Sequence, residues 1–115
     1  MPYIKSGDGR REALQRGEPA LTAGELNYQI FYFVKHNYPR CYFNTVNQFI
    51  IQFLGDNPNY QRYNDMTGAS IRCYKEIKRR LKINFKDQLE FIIDSYDDEI
   101  AKYEDLKIIE NGDVE

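Results

Sequence analysis

The chain has 115 residues, with 16 Lys and Arg against 18 Asp and Glu, one His, two Cys and no Trp. That length suits one domain, 42% hydrophobic with 30% charged residues excludes disorder over most of the chain, and two cysteines make no disulfide framework. The net charge of −2 hides a split: residues 1–83 hold 13 basic and 7 acidic side chains, residues 84–115 hold 3 and 11.

Residues 1–21 read as an irregular basic arm. Gly7, Gly9, Gly17 and Pro19 punctuate it, with one helical turn at most from Glu12 to Gln15. It has no apolar h-region, so no secretory leader is expected. The first firm helix is expected from Thr22, where Thr22-Ala23-Gly24-Glu25 fits a capping box. The Thr22 hydroxyl accepts from the Glu25 amide, and the Glu25 carboxylate reaches back to the Thr22 amide. Leu26, Ile30, Phe33 and Val34 form one apolar stripe, while Tyr28, Phe31 and Tyr32 cover the other side. A helix this apolar needs burial on two sides, which is the ground for expecting a homo-oligomer. Pro39 ends it.

A second helix is expected from about Asn44 to Leu54, striped by Phe43, Val46, Phe49, Ile50, Phe53 and Leu54 and stopped by Gly55. Asp56-Asn57-Pro58-Asn59 is a turn. A third begins near Asn64 or Asp65, with Met66, Ala69 or Ser70, Cys73, Ile77 and Leu81 inward. Gly68 inside it costs about 1 kcal/mol relative to Ala, which a close helix crossing would explain. Its last turns carry Arg72, Lys75, Lys78, Arg79, Arg80 and Lys82 against Glu76 alone. A fourth helix, capped by Asn84, runs unbroken on a stripe from Phe85 through Leu89, Ile92, Tyr96 and Ile100 to Tyr103. Phe91 and Ile93 widen that stripe, and Glu90, Asp94, Asp97, Asp98 and Glu99 make the outer face acidic. The expected fold is all-α: a compact bundle of about four helices over residues 22–103, with an N-terminal arm (1–21) and an extended or loose C-terminal tail (104–115). The longest apolar run, Ile30 to Val34, is far short of the ~20 residues of a membrane span.

Four segments carry a resemblance. Met1-Pro2-Tyr3-Ile4-Lys5 opens the chain, and Gly24-Glu25-Leu26-Asn27-Tyr28 stands at the first helix. Tyr63-Asn64-Asp65-Met66-Thr67-Gly68 leads to Lys78-Arg79-Arg80, and Tyr103-Glu104-Asp105-Leu106-Lys107-Ile108-Ile109-Glu110-Asn111-Gly112-Asp113-Val114 closes it. Together they resemble an uncharacterised family of small bacteriophage and bacterial proteins, over roughly half the chain. Against that pattern, residues 84–102 look like an insertion, residues 38–59 look longer, and Glu115 replaces an aromatic residue. The resemblance carries no biochemical activity. It implies a phage-type accessory protein that antagonises a host or defence component in the host cytoplasm.

Enzymatic chemistry has little to build on. His36 is the one histidine and sits at a helix end, where His⁺ is an ordinary dipole partner. Cys41 and Cys73 lack a nucleophile's setting and suit a reducing compartment. The acidic run lacks the spacing of a calcium loop, and Gly7-Asp8-Gly9 lacks the residues of a phosphate loop. No catalytic residue, metal or cofactor is therefore expected. Binding is better founded. Arg72, Lys75, Arg79 and Arg80, with Tyr28, Tyr63 and Tyr74, combine phosphate-matching cations with stacking rings. They suggest capture of an anionic, nucleotide-like ligand; Arg10, Arg11, Arg16, Tyr32 and Tyr60 widen the set. Asp94, Asp97, Asp98 and Glu99 suggest instead a surface that occludes a host protein. Plain nucleic-acid binding is less expected at a net charge of −2. The bland alternative pairs the basic third helix with the acidic fourth as a charge-matched hairpin.

Overall fold

The structure is a computed structural model that describes residues 4, 9–37 and 43–114, without the Phe43 side chain. The expectations on Met1 to Tyr3, Lys5, Gly7-Asp8, Pro39, Cys41 and Glu115 lie outside those residues. The described chain is all-helical, in six helices: α1 (Arg10–Gln15), α2 (Ala23–Asn37), α3 (Phe43–Leu54), α4 (Tyr60–Leu81), α5 (Lys86–Asp94) and α6 (Asp97–Asn111).

The local signals act largely as their chemistry dictates. Thr22 Oγ1 accepts from the Glu25 amide at 3.2 Å. The Glu25 carboxylate, however, reaches the Leu21 amide at 2.9 Å, one residue before the one a capping box would give it. Gly55 takes φ 75° and its amide closes α3 on the Ile51 carbonyl. Asn59 caps α4, its Oδ1 accepting from the Arg62 amide at 2.8 Å. The helix thus starts four residues before Asn64, because Tyr60 to Arg62 carry no inward apolar residue to announce a turn.

α4 spans about 33 Å and forms the spine. α2 lies across it, with Leu26, Ile30 and Val34 buried beside Met66, Cys73 and Ile77. α3 adds Val46, Ile50 and Phe53, and Phe33 meets Phe49 edge-on with ring centroids 5.6 Å apart. α5 folds back along α4 and buries Leu89, Ile92 and Ile93.

Residues 1–21 are not wholly an irregular arm. α1 is six residues long, too short to persist alone, and Gly9 at φ 83° opens it. Its stability comes from α2. Arg10 donates to both Glu25 carboxylate oxygens at 2.9 and 2.7 Å. Gln15 donates to the Tyr28 hydroxyl at 2.8 Å, and Gln29 donates to the carbonyls of Leu14 and Glu18 at 3.0 and 2.8 Å. The Gly-Glu-Leu-Asn-Tyr segment is therefore the seat of α1. On the second apolar side of α2, α1 meets Tyr28 and Arg80 of α4 lies over Phe31, while Tyr32 stays half-buried, so only part of that side still argues for a partner subunit.

Two further expectations change. Gly68 is exposed, with nothing within 4 Å of where its Cβ would stand, so no close crossing accounts for it. The expected fourth helix is two helices, so the bundle of about four becomes six elements. Ser95 and Tyr96 break the ladder: the Ser95 hydroxyl donates to the Ile92 carbonyl at 2.6 Å, and the Tyr96 amide to Ile93 at 3.0 Å. Phe91 points outward, 66% exposed, while Ile93 is buried. The tail continues α6 to Asn111 where an extended or loose segment was expected.

Candidate functional site

A pocket of about 290 Å³ opens where α1, α2 and α4 meet. Arg11 and Gln15 come from α1, Arg80 from the end of α4, and Tyr28, Phe31, Tyr32, Lys35 and His36 from α2. Tyr28, Tyr32 and His36 recur every fourth residue, so one face of α2 presents them as a ladder. Tyr28 and Tyr32 are stacked, 6.0 Å apart at 23°, and His36 lies tilted at 42° with its centroid 4.3 Å from that of Tyr32. The Arg11 guanidinium lies 5.8 Å from the Tyr28 ring centroid, and its Nε donates to the Ile4 carbonyl at 2.6 Å. The Arg80 guanidinium lies 5.1 Å over Phe31. Among the described residues no carboxylate lines this pocket. Such walls suit phosphate oxygens beside a planar ring.

Of the seven expected ligand residues, Tyr28 and Arg80 meet here. Lys75 and Arg79 line a second pocket of about 590 Å³ with Lys78, Lys82, Ile83 and Asn84. Lys75 also lines a third of about 490 Å³, with Tyr74, Lys78, Asn84, Lys86 and Asp87. Arg72 is exposed on α4 and lines none of the three. Arg79 holds Glu76 at 2.7 Å. Lys82 takes φ 60°, the left-handed conformation usual for glycine after a helix, and its Nζ donates to the Arg79 carbonyl at 3.1 Å. Arg10 and Arg16 serve Glu25 and Glu18 instead of a pocket.

Tyr63 lies apart, near the other end of α4. It packs 6.1 Å from Tyr96 and 5.8 Å from Tyr103, whose hydroxyl donates to the Pro58 carbonyl at 2.7 Å. Burial, and after it the neighbouring Glu99, pushes the Tyr63 phenol up. Burial first, then Tyr63 and Glu99, pushes the Tyr96 phenol up as well. Burial likewise raises the Cys73 thiol, which donates to the Asn27 carbonyl at 3.6 Å and acts as a small apolar side chain.

Asp94 ends α5, and Asp97, Asp98 and Glu99 form the first turn of α6. All four are exposed. The last three suit the positive end of the helix dipole. Among the described residues no group of three or more His, Cys, Asp or Glu is placed to hold a metal ion. Nor does any ion pair among them join α4 to α5 or α6; the pairs of those helices are internal, Arg79–Glu76, Lys86–Glu90 and Lys107–Glu110. Because α5 runs back along α4, it carries this acid to Tyr63, about 25 Å from Arg80 along the spine. The charge split of the sequence thus becomes a basic end and an acidic end.

Sequence reasoning passed over Lys35 and left His36 as a dipole partner. The four-residue spacing of Tyr28, Tyr32 and His36 was the available signal. Among the described residues no helix is long and apolar enough to cross a membrane. Comparison with known protein families, with curated proteins and with solved structures gives no match.

Proposed function

We propose that the protein acts by binding, and that its ligand is an anionic, nucleotide-like molecule held in the pocket between α1, α2 and α4. Arg11, Lys35 and Arg80 take the phosphate oxygens, and Tyr32 and His36 offer ring faces to a base. One observation carries the reading: Arg11, Lys35 and Arg80 converge with a ladder of aromatic rings on one pocket, and among the described residues no carboxylate lines it. The net charge of −2 is no obstacle. Tyr63, which Glu99 neighbours, lies about 25 Å from Arg80 along α4, about three times the ~8 Å screening length at physiological salt. The resemblance to a phage family supports a role in the host cytoplasm, removing a defence signal by sequestration instead of turnover.

A thermal-shift titration with a panel of nucleotides tests this. At 100 times its dissociation constant a true ligand adds about 2.7 kcal/mol to folding stability. Arg11→Glu and Arg80→Glu should each abolish the shift. If no nucleotide raises the melting temperature, the reading fails.

A second reading, an inhibitor that occludes a host protein, has its own observation. α6 buries no residue fully, and Leu106 and Ile109 are exposed on its acidic surface. Charge reversal at Asp97, Asp98 and Glu99 would weaken such a complex and leave nucleotide binding intact.

A further inference from the structure

We propose that the ligand is longer than one nucleotide: a short single-stranded oligonucleotide whose phosphates pass from the pocket over Arg80 and around the outer face of α4. This rests on the reading of that pocket as a nucleotide site.

The observation behind it is independent of the pocket itself. At about 100° per residue, Arg80, Arg79, Lys75 and Lys78 follow one another around the exposed side of the last turns of α4. They sweep roughly 200° of its circumference, which at a helix radius of about 5–6 Å is an arc of about 20 Å. The two further pockets lie along this arc and share Lys75, Lys78 and Asn84, so they form one groove. An aromatic ring closes each end: Tyr28 and Tyr32 in the first pocket, Tyr74 in the groove. Cations in the middle with rings at both ends is the layout of a surface that tracks a sugar-phosphate backbone and stacks bases beside it. A mononucleotide would use one end only. Glu76 lies on the arc and is taken by Arg79, and Asp87 of α5 lines the groove beside Lys86.

Isothermal titration of the whole protein with thymidylate monomer, dimer, tetramer and hexamer tests the length. The expected result is an affinity at least tenfold higher for the tetramer than for the monomer. Lys75→Glu/Lys78→Glu should erase that gain and leave monomer affinity within twofold. The neutral pair Lys75→Gln/Lys78→Gln, checked for native helicity, guards against a folding defect. The salt slope for the hexamer should flatten by about 1.4 in the double variants, about 0.7 for each lost phosphate contact on a single strand. Equal affinity at every length overturns the proposal and leaves the pocket reading standing. A length gain that ignores Arg11→Glu and Tyr32→Ala overturns both, since the strand then avoids the pocket. Absence of binding at any length also overturns both.

Discussion

Glu25 accepts two hydrogen bonds from Arg10 and one from the Leu21 amide, so a single carboxylate ties α1, the connecting loop and α2 together. The Arg10 guanidinium holds this carboxyl below the ordinary glutamate value of 4.5, with burial pulling the other way and the Leu21 amide adding to the lowering. The folded state therefore binds the proton less tightly than the unfolded chain. The stabilisation is complete above about pH 4.5 and drains away as the pH falls through the lower folded value. Glu25→Gln should lower stability by about 1–2 kcal/mol at pH 7, measured by urea unfolding. The gap to the parent should narrow steadily below pH 4.5; a gap undiminished at about pH 2.5 would refute the assignment.

At the scale of the element, α4 and α6 make opposite cases. α4 carries Gly68 on an exposed face where a methyl group meets nothing. Gly68→Ala should stabilise the protein by about 1 kcal/mol and raise the melting temperature by about 4 °C. A fall instead would show that a partner approaches the backbone there. α6 keeps Ile100 and Tyr103 against the core but leaves Leu106 and Ile109 exposed. Its amides from residue 105 to 111 should exchange about 100-fold faster than those of α2. Equal protection would mean that something covers this helix in solution. The helices that sequence periodicity announced are those with a complete stripe, as Met66, Cys73 and Ile77 show in α4. α1 had no stripe to show: two buried residues, Ala13 and Leu14, owe their place to Gln29 and Glu25 on another helix. The break at Ser95 was hidden because Ile92, Tyr96 and Ile100 keep their spacing across it, so pattern alone sees no interruption.

For the whole molecule, the all-α class was legible and the number of pieces was not. The candidate site was legible in part: Tyr28 and Arg80 were named for the right chemistry, whereas Tyr63 was grouped with residues about 25 Å away. Sequence proximity to a basic helix could not reveal which end of that helix a ring would join. Nor could it show that Arg11, from a segment read as arm, completes the wall. That last point has a consequence for how tightly the pocket can hold anything. Arg11 and Gln15 belong to α1, and α1 stays in place through Leu14, buried in the core, and a few polar contacts with α2. Whenever this latch of buried Leu14 and polar contacts lets go, the binding-competent population shrinks, and the apparent dissociation constant rises by the inverse of the fraction still closed. Ligand and latch are then thermodynamically coupled: occupancy holds α1 shut, and substitutions at Glu25 or Gln29, which touch no ligand, weaken affinity by as much as they open the latch.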